Sequence, residues 1–279
     1  MRLQVLGICR FSLLVDGGFQ VVHETLEDRR RMLYDPDRLA RRFLWFEQVC
    51  LPGLAAQTDP DFTLVLLTGS DFPEPWLGRL RDLIAGVPQI RLVQSPPGHH
   101  RDVCRTAIGA AIDPAAKVVA QFRQDDDDAV AVDFVERVRS DFVACLRPLY
   151  AAHAPLALDY CRGFLLSSRG ADVEVMPQMA RNLVAALVVF MRAKTGKTIL
   201  EYPHQKITNV LPGVSLPEVP MYVRGKHDSN DGRGPLREGH DWPVDEAEIP
   251  AILADRFRID LGAFRRGVAA TGGTRGWNR

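Results

Sequence analysis

The fold of this chain is decided by the stretch VVAQFRQDDDDAVAVDFVERV, residues 118–138. An apolar run of strand character ends at four consecutive aspartates, and a helical pattern follows them. Adjacent carboxylates repel one another, so the local structure needs a cation, a basic contact or open water beside them. Open α/β sheets bind their ligands at the carboxyl ends of the strands. The stretch therefore predicts a strand whose carboxyl end carries a charged binding site.

Upstream of this stretch, the chain alternates apolar strand patterns with amphipathic helical patterns. The strand patterns occupy residues 3–9, 62–69, 90–96 and 117–124, and the helical patterns occupy residues 36–57, 73–86 and 101–112. This alternation predicts an α/β fold with a mostly parallel central sheet flanked by helices. Beyond residue 150 the pattern loosens, and residues 155–168 and 172–178 predict a smaller antiparallel part. The segment 181–191 fits either a helix or a strand.

The composition is that of an ordinary globular protein. Its 279 residues suit one α/β domain, and 35 basic residues balance 35 acidic ones, which argues against binding to nucleic acid. The five cysteines lack CxxC spacing, so neither a zinc ribbon nor a disulfide framework is indicated. The longest apolar run, residues 183–191, is too short to span a bilayer. We expect a cytoplasmic protein with no more than peripheral membrane contact.

The aspartates themselves suggest a cation site. In an extended segment, residues two apart point to the same side, so Asp125 and Asp127 would converge while Asp126 and Asp128 face away. Paired carboxylates suit Mg²⁺ or Mn²⁺, which keep positions open for the oxygens of a diphosphate. The same letters also occur in solvated acidic turns. Both interpretations stay open, although the preceding strand and the neighbouring Arg123 favour the metal site.

Other motifs fit less well. The letters DDDAV, residues 126–130, match the D-x-D-x-[TV] pattern of haloacid-dehalogenase phosphatases, in which Asp126 would be the nucleophile. The position on a fourth strand and the polar Gln121, Arg123 and Gln124 before it weigh against that assignment. A calcium loop would need glycine at its sixth position, which is Val130 here, and the letters AKTGKT at 193–198 lack the first glycine of a phosphate loop.

Four segments carry a family resemblance: GICRFSLL (7–14), the long block from Leu39 to Gly69, FRQDDDDAVAVDFV (122–135) and VRGKHDSND (223–231). Together they resemble the GT-A glycosyltransferases, in particular the rhamnosyl transferases of bacterial polysaccharide synthesis. The resemblance implies one GT-A-like nucleotide-diphospho-sugar transferase domain over residues 1–279. Within it, residues 1–145 would form the nucleotide-binding half, and residues 146–279 the acceptor-side half with a C-terminal closing loop.

The resemblance also implies roles for individual residues and a Mn²⁺ or Mg²⁺ cofactor. The metal ligands would be Asp127, Asp125 and His227. The donor-binding residues would be Arg10, Arg105, Arg123, Asp125 and Asp128, because forked guanidinium groups suit a diphosphate and Asp128 would support the sugar. His227 is similar to the C-terminal histidine that completes metal coordination in many GT-A enzymes, although a lone histidine in a loop is as often merely exposed.

The catalytic base is less defined by the sequence. An inverting transfer needs a carboxylate or histidine to deprotonate the acceptor hydroxyl. The candidates are His204, Glu174 and Asp159, and each also suits a surface or capping role. The charged segment 23–38 is expected to form part of the acceptor rim. The polar, glycine-rich segment 224–245 is expected to be a loop that closes over the site.

These observations support a metal-dependent glycosyltransferase. It would move a sugar, with rhamnose as the candidate, from a nucleotide diphosphate donor to a glycan or lipid-linked acceptor. The alternative is a Mg²⁺-dependent phosphohydrolase of the haloacid-dehalogenase type that uses Asp126. A third hypothesis is a sugar- or nucleotide-binding module without catalytic activity.

Overall fold

The computed structural model describes residues 2–17, 25–227, 230 and 239–271. Its strands are β1 (Leu3–Arg10), β2 (Phe62–Gly69), β3 (Ile90–Ser95), β4 (Val118–Gln124), β5 (Ala129–Val130), β6 (Leu156–Tyr160), β7 (Arg162–Arg169), β8 (Asp172–Met179), β9 (Leu187–Arg192), β10 (Gly213–Leu216) and β11 (Tyr222–His227). Its α-helices are α1 (Leu26–Leu33), α2 (Pro36–Trp45), α3 (Leu51–Ala55), α4 (Trp76–Ile84), α5 (His100–Ala111), α6 (Phe134–Asp141), α7 (Arg147–His153), α8 (Ile249–Phe257) and α9 (Leu261–Ala270).

The central sheet has the strand order β10-β6-β9-β4-β1-β2-β3. All its pairings are parallel except those of β9, which runs antiparallel to both β4 and β6. The strand patterns upstream of the aspartates are confirmed as β1 to β4, each within one residue at either end. The predicted α/β class with a mostly parallel central sheet is therefore confirmed, and the ambiguous segment 181–191 leads into a strand.

A second, smaller sheet has the order β5-β11-β7-β8. Residues 155–168 and 172–178 were predicted to form an antiparallel part, and β7 and β8 do pair antiparallel, whereas Leu156–Tyr160 joins the central sheet as β6. Because β7 also pairs with β11 in parallel, the small sheet is mixed. The prediction of a loop over residues 224–245 is wrong at its start, because Arg224–His227 completes β11. The polar, glycine-rich sequence of this segment has no strand pattern. The strand is instead stabilised by pairing with β5 and β7 on its two sides. Residues 228–229 and 231–238 lie outside the described residues.

Helix α2 packs against the carboxyl end of β1 through aromatic side chains. It begins after Asp35, whose carboxylate accepts a hydrogen bond from the backbone N–H of Arg38, and Pro36 suits the first turn. The ring of Phe11, just past β1, lies 4.9 Å from that of Phe43 and 5.3 Å from that of Phe46, centroid to centroid. This packing fixes the rotation of α2, and with it the direction of Arg42.

The charged segment 23–38, expected at the acceptor rim, forms α1 and the start of α2, and its residues 23–24 lie outside the described residues. Asp71, just past β2, ties this segment to the sheet. Its carboxylate accepts from Arg30 Nε at 2.6 Å and from the Tyr34 hydroxyl at 2.9 Å. Among the described residues, no helix has both the length and the hydropathy that a membrane span requires.

Gly7, in the middle of β1, marks the tightest point of the central sheet. A Cβ atom there would lie 2.3 Å from Phe122 Cζ and 2.6 Å from Leu64 Cδ1, both in side chains that are fully buried. Replacing it by alanine should therefore overpack the core. We expect Gly7→Ala to lower the free energy of unfolding by about 1–3 kcal/mol, measured by urea denaturation with fluorescence detection.

Gly109 provides the matched control. It lies within α5, and a Cβ atom there would meet nothing within 4 Å. Because alanine is the better helix former, Gly109→Ala should leave the free energy of unfolding unchanged or raise it by up to about 1 kcal/mol. Equal stability of Gly7→Ala and the unmodified protein would contradict the packing described for β1.

Candidate functional site

The four aspartates form a turn between β4 and β5. The backbone N–H of Asp128 donates to the carbonyl of Asp125 at 3.1 Å, and Gln124 Nε2 donates to the carbonyl of Asp128 at 2.6 Å. The expectation of an extended segment is therefore wrong. The chain must reverse here so that β5 can pair with β11, and the turn directs each carboxylate toward different partners.

Asp126 is held by a buried ion pair. Its side chain is 1 % exposed, and its carboxylate binds Arg42 through both oxygens, with Arg42 Nε at 2.8 Å from Oδ2. It was expected to face away from the site, toward solvent or an arginine. The structure places it inside the protein, where Arg42 offsets the cost of burying its charge.

Asp127 contacts His227, at the end of β11, and Asn230, three residues further along the chain. Its Oδ2 atom lies 3.0 Å from His227 Nε2, 2.5 Å from Asn230 Nδ2 and 3.6 Å from Arg42 Nη1. Burial would raise the pKa of Asp127, but the charge of Arg42 and the contacts with His227 and Asn230 outweigh it and hold the pKa well below the usual range. Asp127 is therefore ionised at neutral pH.

His227 is fixed by stacking and by its backbone. Its ring lies 4.8 Å from that of Trp45 in α2, and Trp45 in turn meets Phe264 of α9. Its backbone N–H donates to Asn230 Oδ1 at 2.5 Å. Burial lowers the pKa of His227, and the neighbouring Asp127 counteracts this only in part. The imidazole is therefore a neutral group beside an ionised carboxylate.

Asp128 connects the turn to β11 through a hydrogen bond. Its Oδ1 atom accepts a hydrogen bond from the backbone N–H of Gly225 at 2.9 Å, and the side chain is buried. A Cβ atom on Gly225 would lie 2.2 Å from the carbonyl oxygen of Asp127, so β11 approaches the turn as closely as only glycine allows. Burial and the charges of Asp127 and Asp125 raise the pKa of Asp128. The structure thus directs Asp128 toward β11.

Asp125 is the most accessible of the four aspartates, with its side chain 34 % exposed. Its Oδ1 atom lies 3.2 Å from Arg10 Nη2 and 3.9 Å from Arg123 Nη2. Burial would raise the pKa of Asp125, but Arg123 and Arg10 lower it below its usual value. Asp125 and Asp127 therefore bind separate sets of partners, whereas the sequence predicted that they converge on one cation.

His100, the first residue of α5, was not identified from the sequence. Its Nε2 atom lies 3.1 Å from Arg10 Nη1 on the side away from Asp125. Burial, followed by the charges of Arg10 and Arg123, lowers the pKa of His100 to about 3. A neutral imidazole accepts the hydrogen bond from Arg10 and so orients its guanidinium group. The sequence did contain a signal for a site residue here, because His100 lies between the strand pattern 90–96 and the helical pattern 101–112, where α/β proteins often place ligand-binding groups.

Buried and partly buried arginines lie near the turn. Arg42 and Arg38 of α2 both lie close enough to His227 to lower its pKa, and Arg29 of α1 acts likewise on His100. Arg38 also donates to Ser12 Oγ at 3.1 Å and to the Leu33 carbonyl at 3.2 Å. With Arg10 and Arg123, these residues outnumber the ionised aspartates. The edge of the sheet is consequently suited to a polyanion.

The remaining predicted residues lie away from this cluster. Arg105 pairs with Asp102 at 2.9 Å and with Glu201 at 3.5 Å. Glu174 is exposed on β8, and the strand registers place it on the sheet face of Lys226, opposite the face of Gly225 and His227. His204 begins the short 3₁₀-helix His204–Asn209. Asp159 is buried in β6, and Ser215 Oγ donates to its Oδ2 at 3.0 Å.

The Arg42–Asp126 pair should be essential for stability. Arg42→Leu leaves a buried carboxylate without its partner, so we expect the free energy of unfolding to fall by about 3–5 kcal/mol in urea denaturation. The double variant Arg42→Leu, Asp126→Leu removes both charges of the pair and should recover part of this loss, because Asp127 still lacks the nearby charge of Arg42. As a control, Arg31→Met breaks the exposed pair with Asp28 and should cost less than about 1 kcal/mol. A loss below 1 kcal/mol for Arg42→Leu would contradict the assignment.

His100 should make stability depend on pH. Its pKa is about 3 in the folded chain and about 6.5 when unfolded, so below pH 6.5 only the unfolded chain takes up the proton. Stability is therefore lost as the pH falls. Between pH 7 and pH 5 this group should cost about 2 kcal/mol, and His100→Gln, which keeps an acceptor for Arg10, should not show that part of the loss. Parallel pH profiles of the two proteins in chemical denaturation would contradict the buried, neutral state of His100.

Comparison with known proteins identifies the family. The family model described as "Putative rhamnosyl transferase" matches residues 4–238. No curated protein matches the sequence. Among solved structures, the chain is similar to S. aureus TarS 1-349 in complex with UDP, at 13 % identity and a TM-score of 0.39 over 81 % of this chain and 60 % of that chain. It thus spans about 60 % of that TarS chain.

Two further solved structures are similar to this chain at comparable sequence identity and TM-score. TarS 1-349 in complex with UDP-GlcNAc matches at 12 % identity and a TM-score of 0.41, over 97 % of this chain and 71 % of that chain. A "putative nucleotide-diphospho-sugar transferase" from Desulfovibrio desulfuricans G20 matches at 12 % identity and a TM-score of 0.36, over 96 % of each chain. The family match confirms the resemblance to rhamnosyl transferases seen in the sequence. Because this match covers well over half of its residues, the chain belongs to the putative rhamnosyl transferase family.

Proposed function

We propose that this protein is a metal-dependent glycosyltransferase that moves a sugar, with rhamnose as the candidate, from a nucleoside diphosphate donor to a hydroxyl of a glycan or lipid-linked acceptor. The observation that supports this proposal is the cluster of partly buried arginines around the aspartate turn, at the carboxyl ends of β1 and β4. A lipid-linked acceptor would bring the protein to a membrane surface as a peripheral partner.

The arginines would bind the diphosphate. Arg10 is held between His100 and Asp125, with its side chain 14 % exposed. Arg123 approaches the same aspartate from β4. Guanidinium groups bind phosphate oxygens through two donors at once, and a group already oriented loses little freedom on binding. Arg10 and Arg123 would therefore hold the diphosphate and stabilise the negative charge that grows on it as the sugar leaves.

Asp127 and His227 fit a divalent cation. An ionised carboxylate and a neutral imidazole are the protonation states that metal ligands require, and their nearest atoms lie 3.0 Å apart. Among the described residues, no group of three or more His, Cys, Asp or Glu side chains could hold a metal, so diphosphate oxygens and water would complete the coordination. Bound Mn²⁺ or Mg²⁺ would supply further charge neutralisation for the leaving diphosphate. Asp125 would contribute through the arginines that bind the donor.

The geometry disfavours the phosphohydrolase alternative. A nucleophilic carboxylate must reach the phosphorus atom of a substrate. Asp126 is 1 % exposed, and Arg42 binds both of its oxygens. Reaching a substrate would break a buried ion pair, which costs several kcal/mol. The buried position of Asp126 is instead the reason that the turn has a fixed shape.

The proposal is tested by nucleotide binding. We expect uridine, thymidine or guanosine diphosphate to bind in calorimetric titrations, more tightly with Mn²⁺ than without. Asp127→Asn should abolish the Mn²⁺-dependent part, because the amide is a weaker ligand than the carboxylate. Arg10→Met should weaken binding about 10- to 100-fold, the loss expected for a hydrogen bond to a charged group.

Arg105→Met is the matched control, since Arg105 pairs with Asp102 and Glu201 away from the turn; it should bind nucleotide as the unmodified protein does. Absence of binding for every nucleotide, or Mn²⁺-dependent binding that survives in Asp127→Asn, would contradict the proposal. Slow hydrolysis of the nucleotide sugar without acceptor distinguishes an enzyme from a binding module.

A further inference from the structure

A cavity of about 520 Å³ lies beside the carboxyl end of β6, in the half of the chain that the arginine cluster does not occupy. Met179, Ala180 and Pro217 give it an apolar wall, Ser215 supplies a hydroxyl group, and Arg181 and His240 also line it. Its size and its mainly apolar lining with few polar groups are typical of a small-molecule site. None of the roles described above for the aspartate turn uses this cavity.

The cavity opens at the same edge of the sheet as the aspartate turn. Strands β4 and β6 both run antiparallel to β9 and are therefore parallel to each other, so their carboxyl ends share one edge. Two strand spacings separate them, on the order of 10 Å. The chain itself joins the two places, because Asn230 contacts Asp127 and His240 pairs through its backbone with Met179, at 2.7 and 2.9 Å.

Ser215 is one of three polar residues that line the cavity, together with Arg181 and His240. Ser215 Oγ donates its hydrogen to Asp159 Oδ2 at 3.0 Å, and the cavity is lined by Ser215 but not by Asp159, which is 3 % exposed. With its hydrogen directed at the carboxylate, the Ser215 oxygen is left as an acceptor. It can therefore receive a hydrogen bond from a ligand hydroxyl.

We propose that this cavity binds a pyranose ring of the acceptor, with an apolar ring face against Met179, Ala180 and Pro217 and one hydroxyl donating to Ser215 Oγ. The assignment to the acceptor rests on the transferase function proposed above. It gives Asp159 a different role from the catalytic base expected from the sequence. Asp159 is a positioning residue that acts through Ser215, because its carboxylate is buried behind the serine.

Saturation-transfer NMR with methyl pyranosides tests the site without any donor. The panel comprises the methyl glycosides of glucose, galactose, mannose, rhamnose and N-acetylglucosamine at millimolar concentration. We expect at least one to receive saturation from the unmodified protein. Ser215→Ala should weaken its affinity about 3- to 10-fold, the loss of one neutral hydrogen bond. Asp159→Asn, where the serine hydrogen is no longer fixed, should weaken it as well.

Ser140→Ala, on the exposed side of α6, is the control and should bind as the unmodified protein does. Nucleoside diphosphate binding should be unchanged in Ser215→Ala, which also shows that this variant is folded, and Asp127→Asn should still bind the pyranoside. If no pyranoside binds, or if Ser215→Ala binds equally well, the cavity proposal is wrong. If pyranosides bind as expected and no nucleotide does, the transferase function fails while the sugar site stands.

Discussion

The buried ion pair between Arg42 and Asp126 is the interaction on which the site depends. The carboxylate is almost inaccessible, and the guanidinium group of Arg42 that neutralises it also lies 3.6 Å from Asp127. The shape of the aspartate turn therefore depends on the position of helix α2, which carries Arg42. The aromatic packing of Phe11 with Phe43 and Phe46 secures that helix, so the core and the site are stabilised by the same contacts.

The turn gives four identical residues four different environments. Asp126 is paired and buried, Asp127 is kept ionised by Arg42, His227 and Asn230, and Asp128 has a raised pKa because it is buried beside two charges. Only Asp125 is partly exposed, next to Arg10. The repulsion that four adjacent carboxylates would suffer is avoided because each side chain leaves the turn in its own direction. This division leaves Asp125 and the neighbouring Arg10 and Arg123 as the partly exposed groups beside the turn.

Local patterns predicted β1 to β4 and the position of the four aspartates after β4, because strand periodicity is a property of short segments. The family resemblance implied that Asp127 and His227 share a metal, and the nearest atoms of these side chains lie 3.0 Å apart. The turn itself was missed because its shape follows from the pairing of β5 with β11, about ninety residues apart in the chain. Arg42 lay within the helical pattern 36–57 with no sign of a special role, and His100 lay just before the helical pattern 101–112. Their roles appear only when α2 and α5 are packed against the sheet, which no local pattern encodes.

The proposed donor site at β1 and β4 is rich in arginine, and the proposed acceptor cavity at β6 is partly apolar. Both lie at one edge of the sheet, as the proposed transfer from an anionic donor to a hydroxyl-bearing acceptor requires. The most direct test is a crystal structure with a nucleoside diphosphate and Mn²⁺. The account predicts the diphosphate within hydrogen-bonding distance of Arg10 and the cation bound by Asp127 and His227. A nucleotide bound elsewhere, or a cation that contacts neither residue, would contradict it.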